Sequence, residues 1–303
     1  MTEANMNNAK VRKIEEVLVA QSASDGDGVR LKRVFGGGNL ARFDPFLMLD
    51  EFGSNDPGDY IGGFPSHPHR GFETVTYMLE GHMEHRDHMG NVGQLMAGDV
   101  QWMKAGAGVI HSEMPKQEEG RMRGFQLWVN LPAREKMTPA SYTELAAASI
   151  PHYEIEGMHV KAIAGELTLN DHAVTGAISG LATEPGYLDI TVDPADPRSK
   201  ELSKELAKEF SIGVPEGHTA LVYVYEGELR IGTDAYPIKA GSLARLGLAG
   251  DLVIQASANA RLLIITGKPI GEPIVQRGPF VMNTAEEIHQ AIRDYTDGKL
   301  VAA

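Results

Sequence analysis

Two pairs of potential metal ligands stand out in this sequence, because both pairs have the same i, i+2 spacing. One pair is His67 and His69, and the other is His111 and Glu113. Residues two apart on a β-strand point to the same face of the sheet. Two such strands facing each other inside a β-barrel would bring three imidazoles and one carboxylate to one point. Three nitrogens and one oxygen suit a divalent transition metal such as iron, nickel, copper, manganese or zinc.

Glu73 leaves the identity of the carboxylate ligand open. If the strand that contains His67 continues without a bulge, period-2 alternation places His67, His69 and Glu73 on one inward face. Glu73 could then bind the metal, accept a hydrogen bond from a histidine, or act as a nearby base. Spacing alone does not distinguish Glu73 from Glu113. The competing interpretation is a structural hydrogen-bond network, which a lone inward histidine would favour but two matched pairs do not.

Three further histidines, His82, His85 and His88, precede a turn at Asn91 and the flanking glycines. No common spacing converges them, so we predict a solvated hairpin loop without a metal. Several aromatic residues are candidates for the protein core, and one or two of them could contact a planar substrate. They are Phe64, Phe72, Tyr77, Trp102, Phe125 and Trp128.

Composition excludes several classes of function. The 303 residues suffice for two domains, and 42% hydrophobic with 23% charged residues is typical of a globular protein. The absence of cysteine excludes disulfides and thiolate ligands. A net charge of −13 argues against direct binding to nucleic acid. The polar segment Met1–Arg12 lacks a secretory signal and no apolar stretch is as long as a membrane span, so we predict a cytoplasmic location.

Frequent glycines and prolines between short runs rich in Val, Ile and Tyr predict an all-β protein. We expect an N-terminal barrel over residues 1–135, a linker over 136–150 and a C-terminal barrel over 151–303. Ser199–Phe210 has helical composition, and a capping-box pattern predicts a helix over Thr284–Tyr295. The predicted strands are Val29–Val34, Thr74–Leu79, Gln94–Met96, Gln126–Val129, Leu188–Val192, Leu221–Tyr225 and Arg261–Thr266.

A weak internal repeat links the two halves. Thr74–Gly81 is similar to Ala220–Gly227, and the following Ala97–Asp99 is similar to Ala240–Ser242. The repeat predicts that the C-terminal half keeps the barrel without the ligands, so that one metal is bound per chain. The expected counterparts of His67, His69, His111 and Glu113 are Gly213, Pro215, Ile254 and Ala256.

Several longer segments together resemble the pirin family of the cupin superfamily. They are HPHRGFET at residues 67–74, GDVQWMKAG at 98–106, VIHSEMP at 109–115, FQLWVNLP at 125–132, GPFVMNTAEEI at 278–288 and DPFLMLDEF at 44–52. The resemblance covers nearly the whole chain. It implies a bicupin, in which two facing β-barrels of the jelly-roll type carry a short C-terminal helix and only the N-terminal barrel binds metal.

The resemblance also implies a ligand set and a function. Family members bind a metal, usually iron, through residues that match His67, His69, His111 and Glu113, which leaves Glu73 outside the ligand set. We therefore expect one divalent ion, Fe(II) first, with Ni, Cu, Mn, Co or Zn as alternatives. The implied activity is a dioxygenase that opens flavonols such as quercetin with O₂ and releases CO, with Glu113 as catalytic base.

Two other interpretations remain open at this stage. Pirins also resemble transcriptional co-regulators, so the chain could be a metal- or redox-sensing regulatory protein that binds a protein partner without turnover. A cupin isomerase or a metal-sequestering protein would bind metal without consuming O₂. The expected partners of the enzyme are a planar phenolic molecule and O₂, with neither nucleic acid nor membrane.

Overall fold

The structure, a computed structural model, describes residues 10–193 and 208–301. The chain divides into two compact units, each built from two chain segments. The first unit contains Gln21–Ser149 and Ile270–Ala303, and the second contains Met1–Ala20 and Ile150–Pro269. Within the described ranges, no helix has the length and apolar character that a membrane crossing requires.

Antiparallel strands and one C-terminal helix form the regular structure of the first unit. The strands are β2 (Gln21–Asp25), β3 (Val29–Gly36), β4 (Phe46–Ser54), β5 (Phe64–His69), β6 (Phe72–Glu80), β7 (Met83–Asp87), β8 (Val92–Leu95), β9 (Val100–Lys104), β10 (Val109–Pro115), β11 (Met122–Asn130), β12 (Ser141–Leu145), β25 (Val275–Arg277) and β26 (Phe280–Met282), followed by α1 (Ala285–Thr296). One sheet has the order β5-β10-β7-β8, and the other has the order β12-β9-β6-β11-β4-β3-β2.

The second unit is also made of two antiparallel sheets. Its strands are β1 (Ile14–Val19), β13 (His152–Ile155), β14 (Met158–Ala164), β15 (Glu166–Leu169), β16 (His172–Thr175), β17 (Gly186–Val192), β18 (Lys208–Gly213), β19 (Thr219–Glu226), β20 (Glu228–Ile231), β21 (Tyr236–Lys239), β22 (Ser242–Leu246), β23 (Leu252–Ala256) and β24 (Arg261–Gly267). The sheet orders are β1-β22-β19-β24-β17-β14-β13 and β16-β15-β18-β23-β20-β21.

Period-2 patterning explains why these segments form strands with one buried face. In β23 the buried Leu252, Ile254 and Ala256 alternate with half-buried residues. Alternate residues of a strand point to opposite faces of its sheet, so this pattern buries one face in the interior of the unit. That interior is almost entirely hydrocarbon in the second unit, where aliphatic side chains dominate the core.

The internal repeat predicted from the sequence is confirmed in the topology. The similar segments form β6 and β19, which lie between β9 and β11 in one unit and between β22 and β24 in the other. The all-β, two-domain prediction is therefore confirmed. Each unit is a jelly-roll sandwich of two separately hydrogen-bonded sheets, in keeping with the jelly-roll type that the resemblance implied.

The two units differ from the predicted domains 1–135 and 151–303. Strand β1 pairs with β22, so the N-terminal segment belongs to the second unit. The predicted linker 136–150 contains β12, which pairs with β9 in the first unit. Residues 270–303 also belong to the first unit. Edge strands find their partners through non-local pairing, which local composition does not reveal.

The predicted C-terminal helix is confirmed as α1. Thr284 is its N-cap and accepts a hydrogen bond from the Glu287 backbone N–H, while the Glu287 carboxylate accepts one from the Thr284 N–H. This reciprocal arrangement satisfies two amide donors at the helix start. Of the other predicted helix, Ser199–Phe210, residues 199–207 lie outside the described part of the chain and Lys208 begins β18.

Candidate metal centre

Strands β5 and β10 bring the two predicted ligand pairs together. They pair antiparallel, with His111 directly opposite His67 and Val109 opposite His69. The register shifts between His111 and Glu113, so that Glu113 lies opposite Phe64. Side chains on directly opposed residues come within about 5 Å of one another at Cβ, which is why two histidine-bearing strands suffice to build a cluster.

The three histidines have the geometry of a ligand set. One ring nitrogen from each of His67, His69 and His111 lies within 4.8 Å of the other two. The Nε2 atoms of His67 and His69 are 2.9 Å apart. Two nitrogens bound at right angles to one ion, each about 2.1 Å from it, would be about 3 Å apart. The spacing of the two atoms therefore fits neighbouring ligands of a single metal.

Protonation also favours ligation. Burial lowers the pKa of His69 and His111 well below the ordinary value, which keeps both imidazoles neutral at pH 7. The Nδ1–H of His67 donates to the Pro65 carbonyl at 2.8 Å, which leaves the lone pair on its Nε2. The Nε2 of His111 is buried without a hydrogen-bond partner among the described residues. A metal ion would satisfy that nitrogen, so the residues present fit one.

Glu113 is buried near the cluster, but its carboxylate oxygens do not belong to the group of convergent ligand atoms that the three histidines form. Its carboxylate accepts a hydrogen bond from the Thr76 hydroxyl at 2.8 Å. The Gln126 amide donates to the other carboxylate oxygen at 3.5 Å. These contacts fix the orientation of the carboxylate from the β6 and β11 side of the unit.

A cavity of about 1230 Å³ opens beside the cluster. His67, His69 and Glu113 line it, whereas His111 is buried without lining it. Apolar side chains form much of the remaining wall. These are Leu31, Leu40, Met48, Phe52, Phe64, Met83, Trp128, Ile274 and Val275. The site therefore combines a candidate metal position with a large, partly apolar chamber.

Comparison with known proteins identifies the family. The Pirin family profile matches residues 28–129, and the profile of the Pirin C-terminal cupin domain matches residues 201–301. This chain belongs to the pirin family. Its two units are accordingly cupin-type domains, as the motifs at the histidine pairs implied.

Relatives of this pirin carry enzyme names. A Pseudomonas aeruginosa protein, provisionally named a quercetin 2,3-dioxygenase, is 51% identical over 96% of this chain and 99% of its own. A Vibrio cholerae protein with the same provisional name is 45% identical, over 95% of this chain and 98% of its own. The crystal structure of quercetin 2,3-dioxygenase from Acinetobacter baumannii has 35% identity and a TM-score of 0.85, and the match covers 97% of this chain and 99% of that one.

Glu73 does not share the face of the histidines, because the strand does not continue unbroken from His67 to Glu73. Strand β5 ends at His69, and β6 begins at Phe72 in a different sheet. Between them Gly71 adopts a φ of +89°, and a Cβ there would lie 2.0 Å from the Val281 carbonyl oxygen. The turn reverses the alternation, and Glu73 accepts a hydrogen bond from the Trp102 indole at 3.1 Å, away from the cavity lining.

The prediction of a solvated loop is wrong for one of the three hairpin histidines. His85 is only 1% exposed, and its Nε2 lies 3.0 Å from the Nδ1 of His111. His82 is half-buried and contacts the Gln94 side chain, and His88 is exposed. The overlooked signal is the alternation Met83, His85, which continues a strand inward before the turn begins.

The second unit of this pirin has hydrocarbon side chains where the first has ligands. Ile254 lies opposite Phe210 and Leu252 opposite Ile212, as His111 lies opposite His67 and Val109 opposite His69. The counterparts of His67 and His69 are therefore Phe210 and Ile212, and not Gly213 and Pro215. The residues of these two opposed pairs all belong to the apolar core of the second unit: Phe210, Ile212, Leu252 and Ile254. In the described part of the chain, the first unit holds the one cluster of this kind.

Two of the aromatic residues considered from the sequence line the cavity. Phe64 and Trp128 line it, and Phe72 contacts both the His69 ring and the Trp128 ring. Tyr77, Trp102 and Phe125 are buried elsewhere in the unit and do not line the cavity.

Proposed function

We propose that this pirin is a metal-dependent dioxygenase that opens the heterocycle of flavonols such as quercetin with O₂ and releases carbon monoxide. The observation that carries the proposal is the convergence of His67, His69 and His111 beside a cavity large enough for a flavonol. The quercetin 2,3-dioxygenase names of relatives that match nearly the whole chain support the same reaction class.

We infer that His67, His69 and His111 hold one divalent ion per chain, with Glu113 as the fourth ligand. Fe(II) is the first expectation, and Ni, Co, Mn, Cu and Zn accept the same donor set. When bound, the ion supplies a Lewis acid that lowers the pKa of the 3-hydroxyl group of the flavonol. The buried, neutral imidazoles keep their lone pairs available for the ion at physiological pH.

Glu113 is the residue that accepts the 3-hydroxyl proton in this proposal. It lines the cavity, and hydrogen bonds from Thr76 and Gln126 orient its carboxylate before a substrate binds. The apolar wall, with Trp128 and Phe64, offers flat contacts for the fused rings and displaces water from them.

Replacement of Glu113 by glutamine should lower kcat by about 100-fold, because a positioned general base typically contributes at least that factor. The three histidines should still retain a bound metal, which elemental analysis would measure beside O₂ uptake. Glu73→Gln is the matched control, since Glu73 is a buried carboxylate that does not line the cavity. If both variants lost activity equally, Glu113 would have no special role.

The charges of the cavity favour an uncharged substrate. The lining includes the carboxylates of Asp25, Asp27, Asp50, Glu113 and Glu272, and among its described residues one guanidinium, that of Arg33. Asp50 accepts from both Nε and Nη2 of Arg33, at 3.0 and 2.8 Å, and Asp25 accepts from Nη2 at 3.0 Å. Arg33 is therefore already neutralised, which leaves no free cationic side chain among the described lining residues to receive an anionic substituent.

Quercetin should accordingly bind at least about tenfold more tightly than a mono-sulfated quercetin with a free 3-hydroxyl, since a tenfold ratio needs only about 1.4 kcal/mol of repulsion. The corresponding methyl ether is the control for size, because it adds bulk without charge. Quenching of tryptophan fluorescence would report binding, as Trp128 lines the cavity. Equal affinities for the sulfate and the methyl ether would contradict the charge argument.

The function itself is tested with protein reconstituted separately with Fe(II), Ni(II), Co(II), Mn(II) and Cu(II). With quercetin as the substrate, we expect at least one form to consume O₂ and to release an equal amount of CO, while the metal-free protein does neither. A protein that binds stoichiometric metal but consumes no O₂ in any of these forms would overturn the enzymatic proposal.

A further inference from the structure

His85 lies directly behind a ligand of the candidate metal centre. Its Nε2 is 3.0 Å from the Nδ1 of His111, and the two side chains are 1% and 2% exposed. Strand β7 places it there, because β7 pairs with β10 and sets His85 opposite Glu113. His85 itself neither lines the cavity nor belongs to the group of convergent nitrogens.

The protons on these two rings follow from the contacts. A hydrogen bond between two imidazole nitrogens needs one hydrogen, carried by one ring and accepted by the lone pair of the other. The Nδ1 of His111 contacts His85, and its Nε2 has no partner among the described residues, so Nε2 is the nitrogen left to bind within the histidine cluster. An imidazole nitrogen that binds a metal carries no proton, so the neutral His111 ring keeps its proton on Nδ1 and donates it to His85.

We propose that His85 is a positioning residue for the metal centre. It accepts the Nδ1–H of His111 and thereby fixes both the tautomer and the orientation of that ring, so that Nε2 faces the other two histidines. This inference rests on the metal centre of the proposed function, but it does not depend on which reaction the centre performs.

Three features of the surroundings support this role. The His67 ligand has an equivalent acceptor, the Pro65 carbonyl, so each of these two rings is oriented through its Nδ1. The ring of His85 packs 5.1 Å from that of Tyr142, which limits its movement. In the second unit, the position that corresponds to His85 by strand register is Leu229 of the aliphatic core, where there is no ligand to orient.

Substitutions can separate this acceptor role of His85 from simple filling of space.

Co(II) is a suitable probe, because its visible d–d absorption responds to the geometry of its ligands. We would measure the Co(II) dissociation constant of the full chain by competition with a chelator, for wild type, His85→Phe and His85→Gln. Phenylalanine keeps a planar ring but has no acceptor, whereas glutamine offers an acceptor oxygen without the ring. His82→Phe is the control, since His82 lies near the start of the same hairpin and contacts Gln94.

The expected result is a dissociation constant 10 to 100 times higher for His85→Phe, the usual effect of losing a partner behind a metal-bound histidine. Its d–d bands should also change. His85→Gln should bind closer to wild type than His85→Phe, and His82→Phe should match wild type. Circular dichroism and the Tm of the metal-free proteins would show that all variants fold.

Two results would overturn the proposal. One is a folded His85→Phe with wild-type affinity and spectrum. The other is an equal loss in His85→Phe and His85→Gln, which would show that His85 acts by its shape alone. The wild type could fail to turn over quercetin while the variants still show the expected order of Co(II) affinities. That result would contradict the dioxygenase proposal and leave the proposal for His85 standing.

Discussion

The substitution His111→Ala is expected to abolish metal binding and, with it, catalytic turnover. His111 supplies one of three convergent nitrogens, and its Nε2 is buried without another partner among the described residues. Binding to the folded state stabilises a protein in proportion to the logarithm of ligand concentration over Kd, by about 4 kcal/mol at 1,000 times Kd. Wild type should therefore show a clear rise in Tm on addition of the metal, and His111→Ala should show none.

This comparison is made within each protein, so it is insensitive to the cavity that the substitution leaves in the metal-free state. His88→Ala is the matched control. His88 is an exposed histidine whose Nδ1 accepts a backbone hydrogen bond from Ile110 at 3.3 Å, and it belongs to no cluster. It should retain the full rise in Tm and full O₂ uptake. A wild-type rise in Tm that persisted in His111→Ala would remove the histidine cluster from the metal site.

The ligand pairs could be predicted from the sequence because their geometry is local. Two residues apart on one strand share a face whatever the rest of the chain does. The remaining requirement was that the two strands pair, and the antiparallel register of His67 with His111 provides it. The internal repeat was similarly accessible, since similar strands occupy equivalent places in both units.

Alternation alone does not settle the positions of Glu73 and His85. The face of Glu73 is set by the turn at Gly71, whose positive φ is needed because the Val281 backbone approaches from a distant part of the chain. His85 is buried because its strand, β7, pairs with β10 and so extends into the interior of the unit. Both outcomes follow from contacts with distant parts of the chain, whereas the sequence pattern reports only which face of a strand each residue occupies.

The unit boundaries were missed for a related reason. Strand β1 is an edge strand that pairs with β22, far away in sequence. Two core clusters of the first unit contain residues of the C-terminal segment. Val281 belongs to one of them, and residues of the helix α1 belong to the other. Edge strands and terminal segments carry weak local signals, because their partners lie far away along the chain.

The C-terminal segment of the first unit is anchored by a buried lysine, and its loss should be strongly destabilising. The Lys136 side chain is 1% exposed, and its ammonium donates to the carbonyls of Gly71 and Val281 and to the Asn130 side chain, at 2.7–3.0 Å. Lys136→Met would remove the donor from all three acceptors. Each buried acceptor left unsatisfied costs 1–3 kcal/mol, offset by relief from burying a charge, so we expect a loss of about 3 kcal/mol.

Urea unfolding at pH 7 would measure this loss, provided that the slope of the transition stays unchanged. Lys299→Met is the control, because Lys299 is an exposed lysine of the same segment that pairs with Asp297 at 3.2 Å. Exposed pairs contribute little, so the control should change the free energy of unfolding by less than about 0.5 kcal/mol. Equal effects of both substitutions would contradict the anchoring role.

The pH dependence of the same pair of proteins provides a second test. Burial lowers the pKa of Lys136 to about 8 from the ordinary 10.5, although Glu272 and Glu287 partly oppose the shift. Between these two values the unfolded chain holds a proton that the folded chain does not, so the free energy of unfolding rises with pH. For one proton the slope is about 1.4 kcal/mol per pH unit. Below pH 8 both states are protonated and this contribution is constant. The stability difference between wild type and Lys136→Met should therefore widen from pH 8 to 9.5, while that for Lys299→Met stays level. A difference that stayed level over this range would mean that Lys136 keeps its proton in the folded protein.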